Sequence, residues 1–227
     1  MLEHSCINCA KRSCGLSGNP LPEHCQTAQL SQAEIDEVNQ LYLHDEEINK
    51  IFVASTEAEI TAYGKLTRVE EIIAFAKRIG AKKIGLAACA GLMRESQIFA
   101  KILELNGFDV YGVTCKIGAV DKHRIEIKEE YIREGRECIC NPIMQAKLLN
   151  KHKVDLNVVI GLCVGHDGLF YRYAKGLTTT LITKDRITGH SPAAPLYTAY
   201  SFYKSKLYGE NCTSKPSEKK EEPNDKV

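Results

Sequence analysis

A chain of 227 residues, 44% hydrophobic and 26% charged, is long enough to bury a full core and too short for two large domains. Thirty lysines and arginines stand against twenty-nine aspartates and glutamates, a formal charge of +1 that argues against a global field drawing the chain to nucleic acid or to an anionic membrane. No stretch approaches the roughly 20 apolar residues needed to cross a bilayer. The start "MLEHSCINCAKRSC" lacks the apolar run of a secretory leader, so a cytoplasmic location is expected. Ten cysteines are many for a chain that owns a core and sits in a reducing compartment, which points to metal binding or thiol chemistry rather than disulfides.

Residues 1–30 hold Cys6, Cys9, Cys14 and Cys25 among polar, turn-forming residues with little periodicity. Cys6 and Cys9 form a CxxC, the spacing by which one tight turn presents two thiolates to the same ion, and Cys14 and Cys25 complete a four-sulfur set. The ordinary alternatives are small buried residues or a redox pair. Four cysteines in so polar a stretch have no core to enter, and the βαβ context of a redox CxxC is absent. A metal knuckle is therefore expected, holding zinc or an iron–sulfur cluster, with His4 and His24 able to replace one thiol.

The next elements follow in order. "SQAE" is a capping box, Ser31 with Glu34, opening a helix with apolar Ile35, Val38 and Leu41; a second helix follows Asp45. Thr67 and Glu70 repeat the capping box for "RVEEIIAFAKRI", which stops at Gly80. "KKIGLAAC" (82–89) reads as a strand, "AGLMRESQIFAKILELNG" as a helix closed by Gly107, and "FDVYGVTC" (108–115) as the next strand. Residues 116–140 fit an exposed helix or a charged loop equally well. Asn141 and Pro142 cap "NPIMQAKLLNKHK", which leads into "LNVVIGLC". A fourth strand, "TTTLITK", precedes a final helix in "SPAAPLYTAYSFYKSKLY". The fold class expected is α/β, a mostly parallel sheet of about four strands with helices on both faces, over residues 31–208. Residues 1–30 form the knuckle, and 209–227 are expected to be a disordered tail.

Cys89, Cys115 and Cys163 each end an expected strand, and Cys140 precedes the Asn141 cap. In an open parallel sheet the strand C-termini share one rim, where helices begin and ligands bind, so these four thiols should face one crevice. Helix N-termini there favour thiolates. A single strand-end cysteine is usually packing; three alike are harder to dismiss. Cys138 could exchange roles with Cys140. His166, Asp167, Asp185, Arg186 and His190 lie near the same rim. Cys163 could be a nucleophile with His166 or His190 as base and Asp167 as its orienting carboxylate. Asp167 could equally cap a helix starting at Gly168, and Arg186 could simply pair with Asp185. Gly91 and Arg94 in "ACAGLMRE" invite comparison with a phosphate-binding turn, on the weak strength of one glycine.

"CINCAKRSCG" with Cys25, "AACAGLMRE", "GVTCK", "CNPIMQAKLLN", "DLNVVIGLCVGHDGLF" and "TTLITKDRITGHSPAAPLY" together resemble an uncharacterised group of prokaryotic proteins. The group is labelled only as metal-binding, a domain of unknown function with an N-terminal cysteine array. The resemblance runs from about Cys6 to about Tyr197 and implies an α/β domain and metal binding at Cys6, Cys9, Cys14 and Cys25; no activity comes with it. The motifs that carry the resemblance leave out the stretch from Asp121 to Glu137, His123 included, so no role there is implied.

The leading expectation is a metalloprotein with a redox or metal-handling role. Its N-terminal thiolates hold one site, and Cys89, Cys115, Cys140 and Cys163 hold a second metal, an iron–sulfur cluster or a reactive thiol centre. The alternative is a transferase or hydrolase using Cys163 as nucleophile, with His166, Asp167 and His190 in support and a purely structural N-terminal metal. The partners expected are a metal ion and a small-molecule substrate. A docking role for the knuckle, through Lys11 and Arg12, is the third reading, and the charge balance disfavours nucleic acid.

Overall fold

The computed structural model describes residues 5–9, 13–15, 18–133, 135 and 137–209. The expected tail lies, from residue 210 on, outside the described residues, as do His4, Lys11 and Arg12. The chain divides into two compact units, one from residues 1–53 with 204–227 and one from residues 54–203.

The first unit begins with two single 3-10 turns, Cys6–Asn8 and Ser13–Gly15, and the short helix α1 (Gln26–Gln29). Helix α2 (Gln32–His44) starts at the anticipated capping box: the Glu34 amide donates to Ser31 Oγ at 3.3 Å and the Ser31 amide to Glu34 Oε2 at 2.8 Å. Helix α3 (Glu46–Ala62) begins where Asp45 Oδ1 accepts the amides of Glu47 and Ile48, each at 3.0 Å.

The second unit carries the sheet. Helix α4 (Arg68–Arg78), capped by Thr67 and Glu70, precedes β1 (Lys83–Ala88), α5 (Met93–Leu105), β2 (Asp109–Thr114), α6 (Pro142–Lys151), β3 (Leu156–Ile160), α7 (His166–Tyr173) and β4 (Leu177–Ile182). All strand pairs are parallel and the order is β2-β1-β3-β4. Strands β1 and β3 are central and buried almost throughout, which is why they read as continuous apolar runs. On one face Ile84, Leu86, Val158 and Ile160 pack with Ile72 and Ala76 of α4 and Phe99 and Leu103 of α5. On the other, Ala87, Val113 and Val159 pack with Ala146 and Leu149 of α6 and Phe170 of α7. Helices therefore cover both faces.

From β1 the chain moves outward to β2, crosses back over β1 to β3, and leaves β3 in the opposite direction toward β4. The winding reverses between β1 and β3. The close approach of α6 to β1 at this centre demands a glycine: a Cβ on Gly85 would lie 2.9 Å from Val154 Cγ2 and 3.1 Å from Leu149.

Residues 116–140 form a charged loop rather than a helix. It contains two single 3-10 turns, Lys122–Ile125 and Glu129–Tyr131, and an antiparallel bridge between Asp121 and Cys138. Lys122 holds it together, its Nζ donating to Glu137 Oε2 at 2.7 Å and to the Tyr131 carbonyl at 2.8 Å. The final segment also departs from expectation. Instead of one helix it forms α8 (Ala194–Tyr197) and α9 (Lys204–Tyr208). Between them Thr198 Oγ1 donates to the Ala194 carbonyl at 2.9 Å and Ser201 Oγ to the Thr198 carbonyl at 3.3 Å.

Strand β3 ends at Gly161, whose φ of +64° turns the backbone and whose added Cβ would meet Leu92 Cδ1 at 2.1 Å. Gly161→Ala should therefore destabilise the protein by about 2–4 kcal/mol, from left-handed strain and overpacking combined. Denaturant titration of the variant beside the parent would measure it; an unchanged midpoint would contradict the tight contact.

Candidate thiol-rich functional site

The ends of the central strands carry the sulfurs. Cys89 directly follows β1 and Cys115 directly follows β2, and both are buried. Cys163 follows β3 after the Gly161 turn. Cys140 arrives from the returning loop, brought beside Cys115 because the Asn141 amide donates to the Cys115 carbonyl at 2.7 Å. All four line one crevice of about 980 Å³ at the C-terminal rim of the sheet. It lies where the winding reverses, the place at which open α/β sheets bind ligands.

Peptide N–H groups point at two of the sulfurs. Ala90 donates to Cys115 Sγ at 3.3 Å and Gly91 to Cys89 Sγ at 3.4 Å. These amides, in the turn that opens α5, are thus engaged by sulfur, and Arg94 is absent from the crevice lining, so the comparison with a phosphate-binding turn loses its donors. Burial pushes the Cys115 thiol up to about 11; the Ala90 amide opposes that shift, while the nearby sulfurs of Cys140 and Cys89 add to it. Arg186 donates from Nη2 to Cys163 Sγ at 3.3 Å. Its guanidinium is held more firmly charged, first by that hydrogen bond, then by the charge of Cys163, with Cys89 and Cys140 contributing from further off. Arg186 so serves a thiol rather than Asp185, whose carboxylate accepts the amides of Ile187 at 3.0 Å and Thr188 at 3.2 Å.

The histidines and Asp167 are less closely joined. His166, the first residue of α7, lines the crevice, and its amide donates to the Cys163 carbonyl at 2.9 Å. The N-cap of α7 is Gly165; Asp167 lies inside the first turn, with Oδ1 on the Gly168 amide at 2.8 Å. It is absent from the crevice lining. His190, at φ +71°, lines the crevice while its Nδ1 accepts the Asp185 amide at 3.1 Å. An accepting Nδ1 places the proton of the neutral ring on Nε2, which leaves this imidazole no lone pair to act as a base toward Cys163.

Sequence reasoning missed two residues. Gln145 of α6 is fully buried and its Nε2 donates to the Ala88 carbonyl at 3.1 Å and the Val113 carbonyl at 2.7 Å. It ties together the ends of β1 and β2 just before their cysteines. A glutamine on the apolar face of "NPIMQAKLL" was the available signal. Lys184 was overlooked beside Arg186. Its stem crosses Gly161 and its ammonium reaches Gly91: methyls on those glycines would lie 3.5 Å from Cε and 3.8 Å from Nζ.

The loop 116–140 is the outer wall. Cys140 faces the crevice, whereas Cys138 lines a separate pocket with Asp121 and His123. His123 bridges two carboxylates, Nδ1 to Asp121 Oδ1 at 2.6 Å and Nε2 to Glu129 Oε1 at 2.8 Å. These bonds, Asp121 first, raise its pKa.

In the first unit Cys6, Cys9, Cys14 and Cys25 line a cavity of about 250 Å³ together with His24. The Cys9 amide donates to the Cys6 carbonyl at 3.1 Å, closing the CxxC turn. The Ala28 amide, at the start of α1, holds the Cys25 thiol below its ordinary range. The cysteines of each set line one cavity, and soft thiolates suit zinc or iron–sulfur chemistry. Among the described residues, however, no group of three or more His, Cys, Asp or Glu side chains stands in metal-holding geometry.

Fold and rim together define a doubly wound α/β protein with a thiol-lined crevice at its topological switch point. The model of the family described as "Protein of unknown function (DUF1847)" matches residues 25–181. An uncharacterized protein of Methanocaldococcus jannaschii, MJ0455, is 49% identical over 156 residues, which is 68% of this chain and 79% of that protein. The chain belongs to the DUF1847 family. The matched segment contains the four rim cysteines and begins at Cys25, so Cys6, Cys9 and Cys14 lie outside it. Among the described residues no helix is long and apolar enough to cross a membrane.

Two outcomes follow. In metal-free, reduced protein Cys115 should react with iodoacetamide more slowly than Cys163 and accelerate as pH climbs from about 9 toward 11, since its proton is retained longest; peptide mass spectrometry with equal rates would refute this. The raised pKa of His123 means its bridge stabilises the loop fully below about 6.5, the ordinary histidine value, and that this contribution is lost as pH rises through the raised value. Hydrogen-exchange protection at residues 121–131, corrected for the intrinsic base-catalysed rate, should fall across that window, and His123→Ala should remove that fall.

Proposed function

We propose that the rim is a thiolate metal or iron–sulfur centre with Cys89, Cys115, Cys140 and Cys163 as ligands, in a redox or metal-handling role, and that Cys6, Cys9, Cys14 and Cys25 hold a separate structural metal. The observation that carries the reading is the pair of N–H···S bonds from Ala90 and Gly91 to Cys115 and Cys89 within a crevice that four sulfurs share. Amides aimed at sulfur stabilise negative charge there and tune bound metals.

A bound metal would supply a positive charge amid four sulfurs and, for iron, electron transfer. The chain's own residues do the rest. Gln145 fixes the separation of the Cys89 and Cys115 strand ends, Arg186 compensates negative charge at Cys163, and His166 lines the mouth, where a proton could pass. The absence of ready-made ligand geometry means the sulfurs would have to close around an ion by side-chain rotation. Their convergence on one crevice supports that movement as a small one.

A second reading makes Cys163 the nucleophile of a transferase or hydrolase. It is supported by the Arg186 contact and by the partial exposure of Cys163. On this reading His166 is the better base, because Nδ1 of His190 is already occupied. Asp167 would orient neither.

Protein isolated without oxygen should carry metal at more than one site per chain, with an optical spectrum that separates coloured iron–sulfur from colourless zinc. The Cys89→Ser/Cys163→Ser variant should lose one site and keep the other, and Cys6→Ser/Cys9→Ser should do the reverse. Unchanged metal content in the first variant, combined with selective alkylation of Cys163 in the parent, would replace the metal reading with the nucleophile.

A further inference from the structure

The crevice holds more positive charge than its sulfurs require. Among the described residues, Lys116, Lys122, Arg133, Lys184 and Arg186 line it against one carboxylate, Glu137. Three helices also begin on its wall: the Cys89–Gly91 turn leads into α5, Pro142 is the first residue of α6, and His166 is the first of α7. The positive ends of their dipoles add to the same field. Four thiolates around a dication carry about two negative charges net, fewer than this surplus of cations.

The cations are not equivalent. Lys122 is neutralised by Glu137 at 2.7 Å, and Lys116 donates to the Cys138 carbonyl. Arg186 is engaged by Cys163. Lys184 is half-buried and makes no hydrogen bond or ion pair among the described residues, although Asp185 adjoins it; that carboxylate is turned to the Ile187 and Thr188 amides. Its stem lies across Gly161 and its ammonium sits over Gly91, beside the opening of α5. An ammonium held at the positive end of a helix without a counter-charge is unfavourable on its own. The arrangement becomes favourable when an anion lies between them.

The opposite end of the crevice has another character. Because β4 and β2 are the two edges of the sheet, Lys184 and Arg186 lie at one end and the loop that follows β2 at the other. That loop contributes an apolar cluster of Ile125, Ile127, Tyr131 and Ile139, beside Lys116, Arg133 and the mutually neutralised Lys122 and Glu137. At about 980 Å³ the crevice has the size of a small-molecule site, with Lys184 and Arg186 at one end and an apolar cluster on the loop at the other.

We propose that the crevice binds a small organic dianion, its charged head at the Lys184 and Arg186 end and its apolar body against the loop. The excess of positive charge selects a doubly charged head, as in a phosphate monoester or a dicarboxylate, over a single carboxylate. The proposal rests on the rim being the functional centre but not on the sulfurs holding metal.

Isothermal titration of the reduced full chain with phenyl phosphate and with phenylsuccinate distinguishes the two kinds of head, and benzyl alcohol serves as the uncharged control. At least one dianion should bind saturably, weaken by about tenfold in Lys184→Met, and weaken with added salt, as screened charge pairs do. Circular dichroism and metal content of Lys184→Met should match the parent. The proposal is overturned if neither dianion binds, if Lys184→Met binds as tightly as the parent, or if benzyl alcohol binds equally well. Metal content of each sample keeps the two readings apart. Lys184-dependent binding by protein that carries no rim metal would sustain the anion site and remove the metal centre, and a metal-loaded rim that binds neither dianion would do the opposite.

Discussion

The reversal of winding between β1 and β3 is the constraint on which the rest of the site depends. Because every strand is parallel, every strand C-terminus lies on one rim; because the chain departs from β1 and β3 in opposite directions, the connecting segments part and leave a crevice there. Cys89 and Cys163 flank that parting. Cys115 and Cys140 join them through the Asn141 amide, which brings the start of α6 to the end of β2. Cysteines as much as 74 positions apart meet without any disulfide to hold them.

Burial and charge then act against each other along the rim. Neutral thiols tolerate the apolar neighbours Ala87, Val113 and Phe170, and burial drives Cys115 toward its protonated form. The Ala90 and Gly91 amides, Lys184 and Arg186 act in the other direction, favouring negative charge. A site designed only to bury cysteine would contain the first set. One designed only to bind an anion would omit the buried sulfurs. The rim contains both sets.

Much of this was legible in the sequence because it depends on local periodicity and on topology. The capping boxes at Ser31 and Thr67, the apolar runs of β1 and β3, and the βαβ alternation are local signals, and the rule that parallel strand ends share a rim carried Cys89, Cys115, Cys140 and Cys163 to one crevice. What escaped depends on contacts between distant segments. Gln145 is an ordinary helical residue until α6 is laid over two strand ends, and Lys184 is an ordinary surface lysine until Gly161 and Gly91 make room for it. The 116–140 loop was ambiguous because its order comes from Lys122 pairing with Glu137, fifteen residues on, and from a single bridge. The expected last helix is instead two short ones, Ala194–Tyr197 and Lys204–Tyr208, a break that its helical periodicity did not mark.

The two walls of the crevice differ in how they are held, and that difference bears on what each can do. The strand-end wall is fixed by the core beneath it, by Gln145 spanning two carbonyls and by the Gly161 turn packed on Leu92. The loop wall is fixed mainly by polar contacts at the surface, those of Lys122 and His123. Buried packing opens at a cost near that of global unfolding, whereas exposed ion pairs give way far more readily. Cys89, Cys115 and Cys163 therefore stand on the rigid side, and Cys140 alone stands at the junction with the softer one. A ligand entering the crevice would meet strand ends held by the core beneath a wall able to adjust around its body.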